Sequence, residues 1–173
     1  MRLLSQDQYE YFSHWYTIAV REYIHCYKFR DDYAALARSI CPKISVMQAK
    51  KAVALLEQLQ LIARGDDGYY KLTDTIVTTG PDVASIGALE YHKSMLDLGK
   101  KALVSFPAKE RYMHGITGSF SGETFTKVKA VIDAARKQVL ELIDSDTGAR
   151  RVYQVGFQLF PLSSAGKGAL HED

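Results

Sequence analysis

The chain has 173 residues with 22 Lys+Arg against 20 Asp+Glu, a net charge of +2, and is 47% hydrophobic; this excludes disorder as its main state and suffices for a core without staples. A balance so near neutral names neither nucleic acid nor membrane as partner, so an electrostatic signal has to be local. Cys26 and Cys41, with no Cys-x-x-Cys and no nearby His pair, write neither a disulfide scaffold nor a zinc site; with no signal-peptide core and no apolar run of about 18 residues, the expectation is a cytoplasmic protein with no membrane partner, metal or cofactor.

Ser5 to Tyr27 lacks Pro and Gly, and Tyr9, Phe12, Tyr16, Ala19, Tyr23 and Cys26 recur at steps of three and four, which predicts one helix with those residues on one face. Asp31 is placed to cap a second, shorter helix carrying Tyr33, Leu36, Ala37 and Ile40, stopped by Pro42. Ser45 and Gln48 have capping-box spacing and open a third helix with Val46, Ala49, Val53, Leu56 and Leu59 inward. Leu61 to Arg64, Gly65-Asp66-Asp67-Gly68 and Tyr69 to Thr73 read as a hairpin, Asp-Gly supplying the positive φ that such turns need.

Thr78-Thr79-Gly80-Pro81 punctuates the chain and sets an expected boundary near Gly80. Asp82 then caps a helix reaching Phe106, ended by Pro107, with two apolar seams: Ala88, Tyr91, Met95, Leu98, Ala102 and Leu89, His92, Leu96, Gly99, Leu103. Arg111 to Phe120 reads as extended. Ser121 caps a last helix with Phe125, Val128, Ile132, Ala135, Val139 and Leu142 on one side. Tyr153, Val155, Phe157 and Leu159 alternate with polar or small residues as a strand does. Two strands bridged by a helix suggest a parallel crossover, with an antiparallel arrangement also open.

The expected fold class is therefore α+β: a winged helix-turn-helix-like half over residues 1–80, then a helix-strand-helix-strand half over 81–173 that serves as dimerisation or effector module. Charge distribution supports the first half. The 24 residues between Asp32 and Glu57 contain no acid, while Arg38, Lys43, Lys50 and Lys51 all fall there. The third helix would show Met47, Gln48, Lys50, Lys51 and Ala54 outward, so Lys43, Met47, Gln48, Lys50 and Lys51 are the candidate DNA-contact residues: lysines for phosphates, Gln48 for an adenine edge. Against this, the capping box can occupy Gln48, and Asp66 and Asp67 at the hairpin tip would repel a phosphate backbone.

Tyr11-Phe12-Ser13-His14-Trp15-Tyr16, Leu59-Gln60-Leu61-Ile62 with Asp67-Gly68-Tyr69-Tyr70-Lys71-Leu72-Thr73, and Tyr153 through Phe160-Pro161-Leu162-Ser163 together resemble an uncharacterised bacterial family, expanded as paralogues in some fibre-degrading and predatory bacteria. The resemblance runs from about Gln8 to Ser164. It implies a regulatory protein, and that the chain corresponds to the C-terminal module of members carrying a further helix-turn-helix-like region upstream; Met1 then opens either a short member or a segment of a longer one. If DNA contact belongs to that upstream region, the winged-helix-like part is a dimerisation or sensing element. Gln60 departs from the family's Leu-Gly-Leu-Ile pattern and would need left-handed geometry or a different helix exit, which leaves open how tightly the hairpin follows the third helix.

Other candidates read more simply as structure. His14 and Trp15 sit in an aromatic helix expected to pack on a neighbour. His25, Cys26 and Cys41 lack the number and spacing of metal ligands, and Cys26 is expected to face the core. His114 to Glu123 joins a predicted strand to a helix start, where backbone N–H groups favour an anion, yet it lacks a P-loop pattern, and Ser119 and Ser121 are explained by capping. Lys127, Lys129, Arg136 and Lys137 form a solvated face, and Lys100 and Lys101 suit a helix end. The expected function is transcriptional regulation by a DNA-binding homodimer. The alternatives are a winged-helix protein-interaction or dimerisation module without DNA contact, and a nucleotide or phosphate sensor using the Gly115 to Gly122 loop. No catalytic residue is assigned, so an enzyme is not expected.

Overall fold

The computed structural model describes residues 6–73 and 81–164. The chain divides into two compact units, one running to His114 and including Gly148–Gln154, the other made of Gly115–Thr147 and the chain from Val155 onward. Among the described residues it is mostly helical with a small two-stranded antiparallel sheet, compatible with the α+β class. The boundary expected near Gly80 lies outside the described residues. No helix among those described is long and apolar enough to cross a membrane.

The single helix expected from Ser5 to Tyr27 is two: α1 (Gln6–Ser13) and α2 (Trp15–Cys26), separated by His14 at φ −114°, ψ 95°. Ser13 supplies a reason. Its hydroxyl donates to the Tyr9 carbonyl at 2.7 Å, a back-bond that competes with the helical ladder and bends it. The buried face of α2 is Thr17, Val20 and Ile24, while the expected Tyr16, Ala19, Tyr23 and Cys26 lie half-buried beside it and Tyr9 is exposed. Compact β-branched residues take the centre, and the larger rings close its margin, Trp15 among them.

α3 (Tyr33–Ser39) is capped by Asp32 rather than Asp31, the Asp32 carboxylate accepting from Ala35 N–H at 2.8 Å. Asp31 instead accepts two hydrogen bonds from Arg64, at 2.7 and 3.0 Å. Leu36, Ala37 and Ile40 are buried as expected. α4 (Val46–Gln58) begins with the full capping box: Gln48 N–H donates to Ser45 Oγ at 3.1 Å, and Ser45 N–H to Gln48 Oε1 at 2.8 Å. Ala49, Ala52, Val53 and Leu56 form its buried face; Val46, expected inward, is exposed because it lies in the first turn, beyond the core's edge.

α4 ends in a Schellman motif. Leu61 N–H donates to the Leu56 carbonyl and Gln60 N–H to the Glu57 carbonyl, each at 2.9 Å, and Gln60 sits at φ +60°. Of the two exits open to Gln at this position, left-handed geometry is the one adopted. β1 (Ile62–Arg64) and β2 (Tyr70–Leu72) then pair antiparallel, Ile62 opposite Leu72 and Arg64 opposite Tyr70. The connection closes through Gly65 N–H to the Tyr69 carbonyl and Gly68 N–H to the Gly65 carbonyl, with Gly68 at φ +78°, the pattern of a three-residue loop closed by a left-handed glycine. Tyr70 N–H donates to the Phe29 carbonyl at 2.9 Å, so the segment between α2 and α3 lies along the hairpin edge where a third strand would run.

α5 (Pro81–Ser105) ends before Pro107 and packs along α1, where a Cβ on Gly87 would stand 3.0 Å from that of Phe12. One seam, Ala88, Tyr91, Met95, Leu98 and Ala102, is half-buried; on the other, Leu89, His92, Leu96 and Leu103 are exposed. A 3-10 turn at Ala108–Glu110 follows. Arg151 holds Glu110 at 2.8 Å, Gln154 accepts from Tyr91 Oη at 3.0 Å, and Tyr27 Oη donates to the Arg150 carbonyl, so Gly148–Gln154 is bound into this unit.

In the second unit Ser121 caps α6 (Gly122–Asp144) by accepting from Thr124 N–H at 3.2 Å. Val128, Ile132, Ala135 and Val139 are half-buried, Phe125 and Leu142 exposed. Neither strand expected around α6 forms: among the described residues the sheet has β1 and β2 alone, and no crossover exists. Alternation marks a strand only where a ladder satisfies the backbone and one face is covered. Tyr153, Val155 and Phe157 are exposed instead, and Gly156 weakens extended propensity within the run.

Candidate nucleic-acid interface

The five residues singled out in the sequence lie on or just before α4. Lys43, Met47, Lys50 and Lys51 are exposed, Met47 to 67%, while Gln48 is half-buried. The burial of Ala49, Ala52, Val53 and Leu56 fixes the helix rotation, leaving Met47, Lys50, Lys51 and Ala54 outward. Thirteen residues make a helix of about 20 Å, a length that lies readily in a groove about 12 Å wide. Gln48 is constrained differently. Its Oε1 already accepts from Ser45 N–H, so bidentate pairing with an adenine edge would compete with the cap.

Lys50 is held from below: its Nζ lies 5.7 Å from the centroid of the Tyr33 ring, a cation–π contact that limits its swing without neutralising it. Tyr33 in turn meets Phe29 edge-on at 5.4 Å, and Phe29 stacks on Tyr70 at 5.7 Å. This row of rings ties the outward face of α4 to the hairpin.

Around the hairpin, most acids are already engaged. Hydrogen bonding to Arg64 holds the Asp31 carboxyl below its ordinary range, and the same bond, with a second to Tyr70 Oη, makes the guanidinium hold its proton more tightly. Asp67 is likewise held below the usual carboxylate range by Lys71 at 3.1 Å and by Tyr69 N–H. Asp66 has no partner among the described residues. The repulsion expected from the tip is therefore reduced mainly to one exposed carboxylate.

Lys28 and Arg30 are two further basic residues beside this site that no helical or strand pattern in the sequence marks. Both are exposed on either side of buried Phe29, and both approach the Tyr69 ring, at 5.8 and 5.5 Å. Two basic residues alternating about one aromatic was the available signal. The other candidates do not converge. His114 to Glu123 are all exposed. Cys26 is half-buried, Cys41 exposed, and among the described residues no three His, Cys, Asp or Glu side chains are grouped to hold a metal. Lys127 pairs with Glu123 at 2.6 Å on an exposed helix face.

No curated protein and no solved structure matches the chain. The model of one family, described as a domain of unknown function, DUF4423, matches residues 1–162, which cover the capping box, the hairpin and the aromatic row alike; the chain belongs to that family.

Proposed function

We propose that the protein is a transcriptional regulator that binds duplex DNA through a winged helix-turn-helix-like domain, with α4 in the major groove. The observation that carries this reading is the outward face of α4: Met47, Lys50, Lys51 and Ala54 are exposed on a helix rigidly capped at its start, within a stretch free of acids. The order of α2, α3, α4 and the hairpin, with Phe29 bonded to the hairpin edge, supports the same reading. Lys43, Lys50 and Lys51 would take phosphates, and Met47 would meet base edges as an apolar contact.

The exposed row Leu89, Leu96 and Leu103 on α5 supports a homodimer, since a helix of about 37 Å suffices for a two-fold contact. The rest of the chain after α5 then acts as effector module, in the cytoplasm with the DNA. A second reading, a winged-helix interaction module without DNA contact, is favoured by one observation: Val46 and Met47 expose apolar surface beside the lysines, 43% and 67% respectively.

Binding to random-sequence duplex across a salt series tests the proposal. Wild type should weaken steeply, and Lys50→Ala/Lys51→Ala should lower the log-log slope by about 1.8, at about 0.9 per phosphate contact. No binding by the wild type at low salt would refute it in favour of the interaction module.

A further inference from the structure

We infer that Lys28 and Arg30, gathered against the Tyr69 ring, form a second phosphate contact, so that a duplex held by α4 is gripped along the flank of the hairpin rather than by its tip. The inference rests on the DNA-binding reading of α4 and adds to it the place and the residues of a second contact. Three observations lead to it.

The first is pairing. Of the four acids near the hairpin, Asp31 is taken by Arg64, Asp32 by the start of α3, and Asp67 by Lys71 and the Tyr69 amide. Neither Lys28 nor Arg30 is in a salt bridge among the described residues, although the Asp31 carboxylate that Arg64 binds also feels the Arg30 charge; each cation lies against the Tyr69 ring. A ring orients a cation while leaving its charge available to an incoming anion.

The second is convergence. Lys28 and Arg30 leave the chain on either side of buried Phe29 and meet at one ring, and the Arg30 stem passes beside Gly68, where an added Cβ would stand 3.2 Å from Arg30 Cδ. Gly68, left-handed at φ +78°, thus both closes the turn and makes room for the arginine. The third is continuity. Lys50 lies over Tyr33, Tyr33 contacts Phe29, and Phe29 is the residue between Lys28 and Arg30. Two ring contacts therefore join the basic face of α4 to this pair. Neighbouring phosphates of one strand would meet cations from both, while Asp66 stays clear at the tip.

The test adds Lys28→Gln/Arg30→Gln, and separately Lys28→Glu/Arg30→Glu, to duplex binding by the full chain between 50 and 200 mM salt. Two lost phosphate contacts should lower the log-log slope by about 1.8. The advantage of wild type over the Gln variant should then shrink about 12-fold across that fourfold range of salt. The Glu variant should bind more weakly than the Gln variant. Tyr69→Leu, which removes the orienting ring but neither charge, should weaken binding with the slope nearly unchanged. Unchanged wild-type-like Trp15 fluorescence would verify that each variant is folded. If Lys50→Ala/Lys51→Ala lowers the slope and Lys28→Gln/Arg30→Gln leaves it at the wild-type value, this inference falls and the α4 reading stands. If the wild type binds no duplex at all, both fall.

Discussion

Gln60 occupies a left-handed position at the exit of α4 where its side chain gains nothing obvious, since it is exposed. An L-residue in that geometry costs about 1–2 kcal/mol. Glycine would relieve the strain but give back about 0.4–1 kcal/mol through the freer unfolded chain. Gln60→Gly should therefore stabilise the unit by about 0.5–1 kcal/mol, with both Schellman bonds kept because they are made by the backbone. Trp15, the single tryptophan, is partly buried against the same core and reports its unfolding. With a urea m-value of about 2 kcal/mol/M, the midpoint should rise by about 0.3–0.5 M. Gln60→Ala, which removes the side chain and keeps the strain, should leave the midpoint nearly where it is. An equal or lower midpoint for Gln60→Gly, or equal gains for Ala and Gly, would refute the strain argument.

Three further outcomes follow from the geometry. Ser45→Ala removes the acceptor for Gln48 N–H and should cost about 1 kcal/mol, seen in the same urea titration. Asp31 is held below its ordinary pKa by Arg64, so this pair's contribution is complete above the unfolded carboxylate value of about 3.9 and fades as pH falls through the lower folded value. Asp31→Asn should flatten the acid limb of stability against pH, and added salt should do so in part, since the pair is solvent-exposed. The phenol of Tyr11 is pushed up to about 12 by burial, against 10.0 unperturbed. Its stabilisation as a neutral group is complete below pH 10 and declines as pH rises from there through about 12, so Tyr11→Phe should lose that part of the alkaline limb in thermal melts followed by Trp15 fluorescence.

What the sequence made legible were features with local chemistry. The Ser45–Gln48 box, the positive φ of Gly68 and the Ser121 cap are each decided within five residues and stand as expected, while at Gln60 the sequence left two helix exits open and the left-handed one is found. Features set by competition were not legible. Asp31 and Asp32 are both competent caps, and the choice turns on Arg64, 33 residues away. The apolar period across α1 and α2 continues through His14, while the break follows from a hydroxyl back-bond that periodicity does not register. The pattern at Tyr153 to Leu159 satisfied alternation but found no ladder. At the candidate site, the outward lysines were readable from the inward face of α4. Lys28 and Arg30 were not, because only the folded hairpin brings Tyr69 between them.

Lysine acetylation of the full chain, compared with and without saturating duplex DNA and read residue by residue by mass spectrometry, tests the central claim most directly. Lys43, Lys50 and Lys51 should be protected, while Lys127, Lys129 and Lys137 on exposed α6 react as before. Protection confined to α6, or none in conditions where duplex is bound, would contradict the placement of DNA on α4.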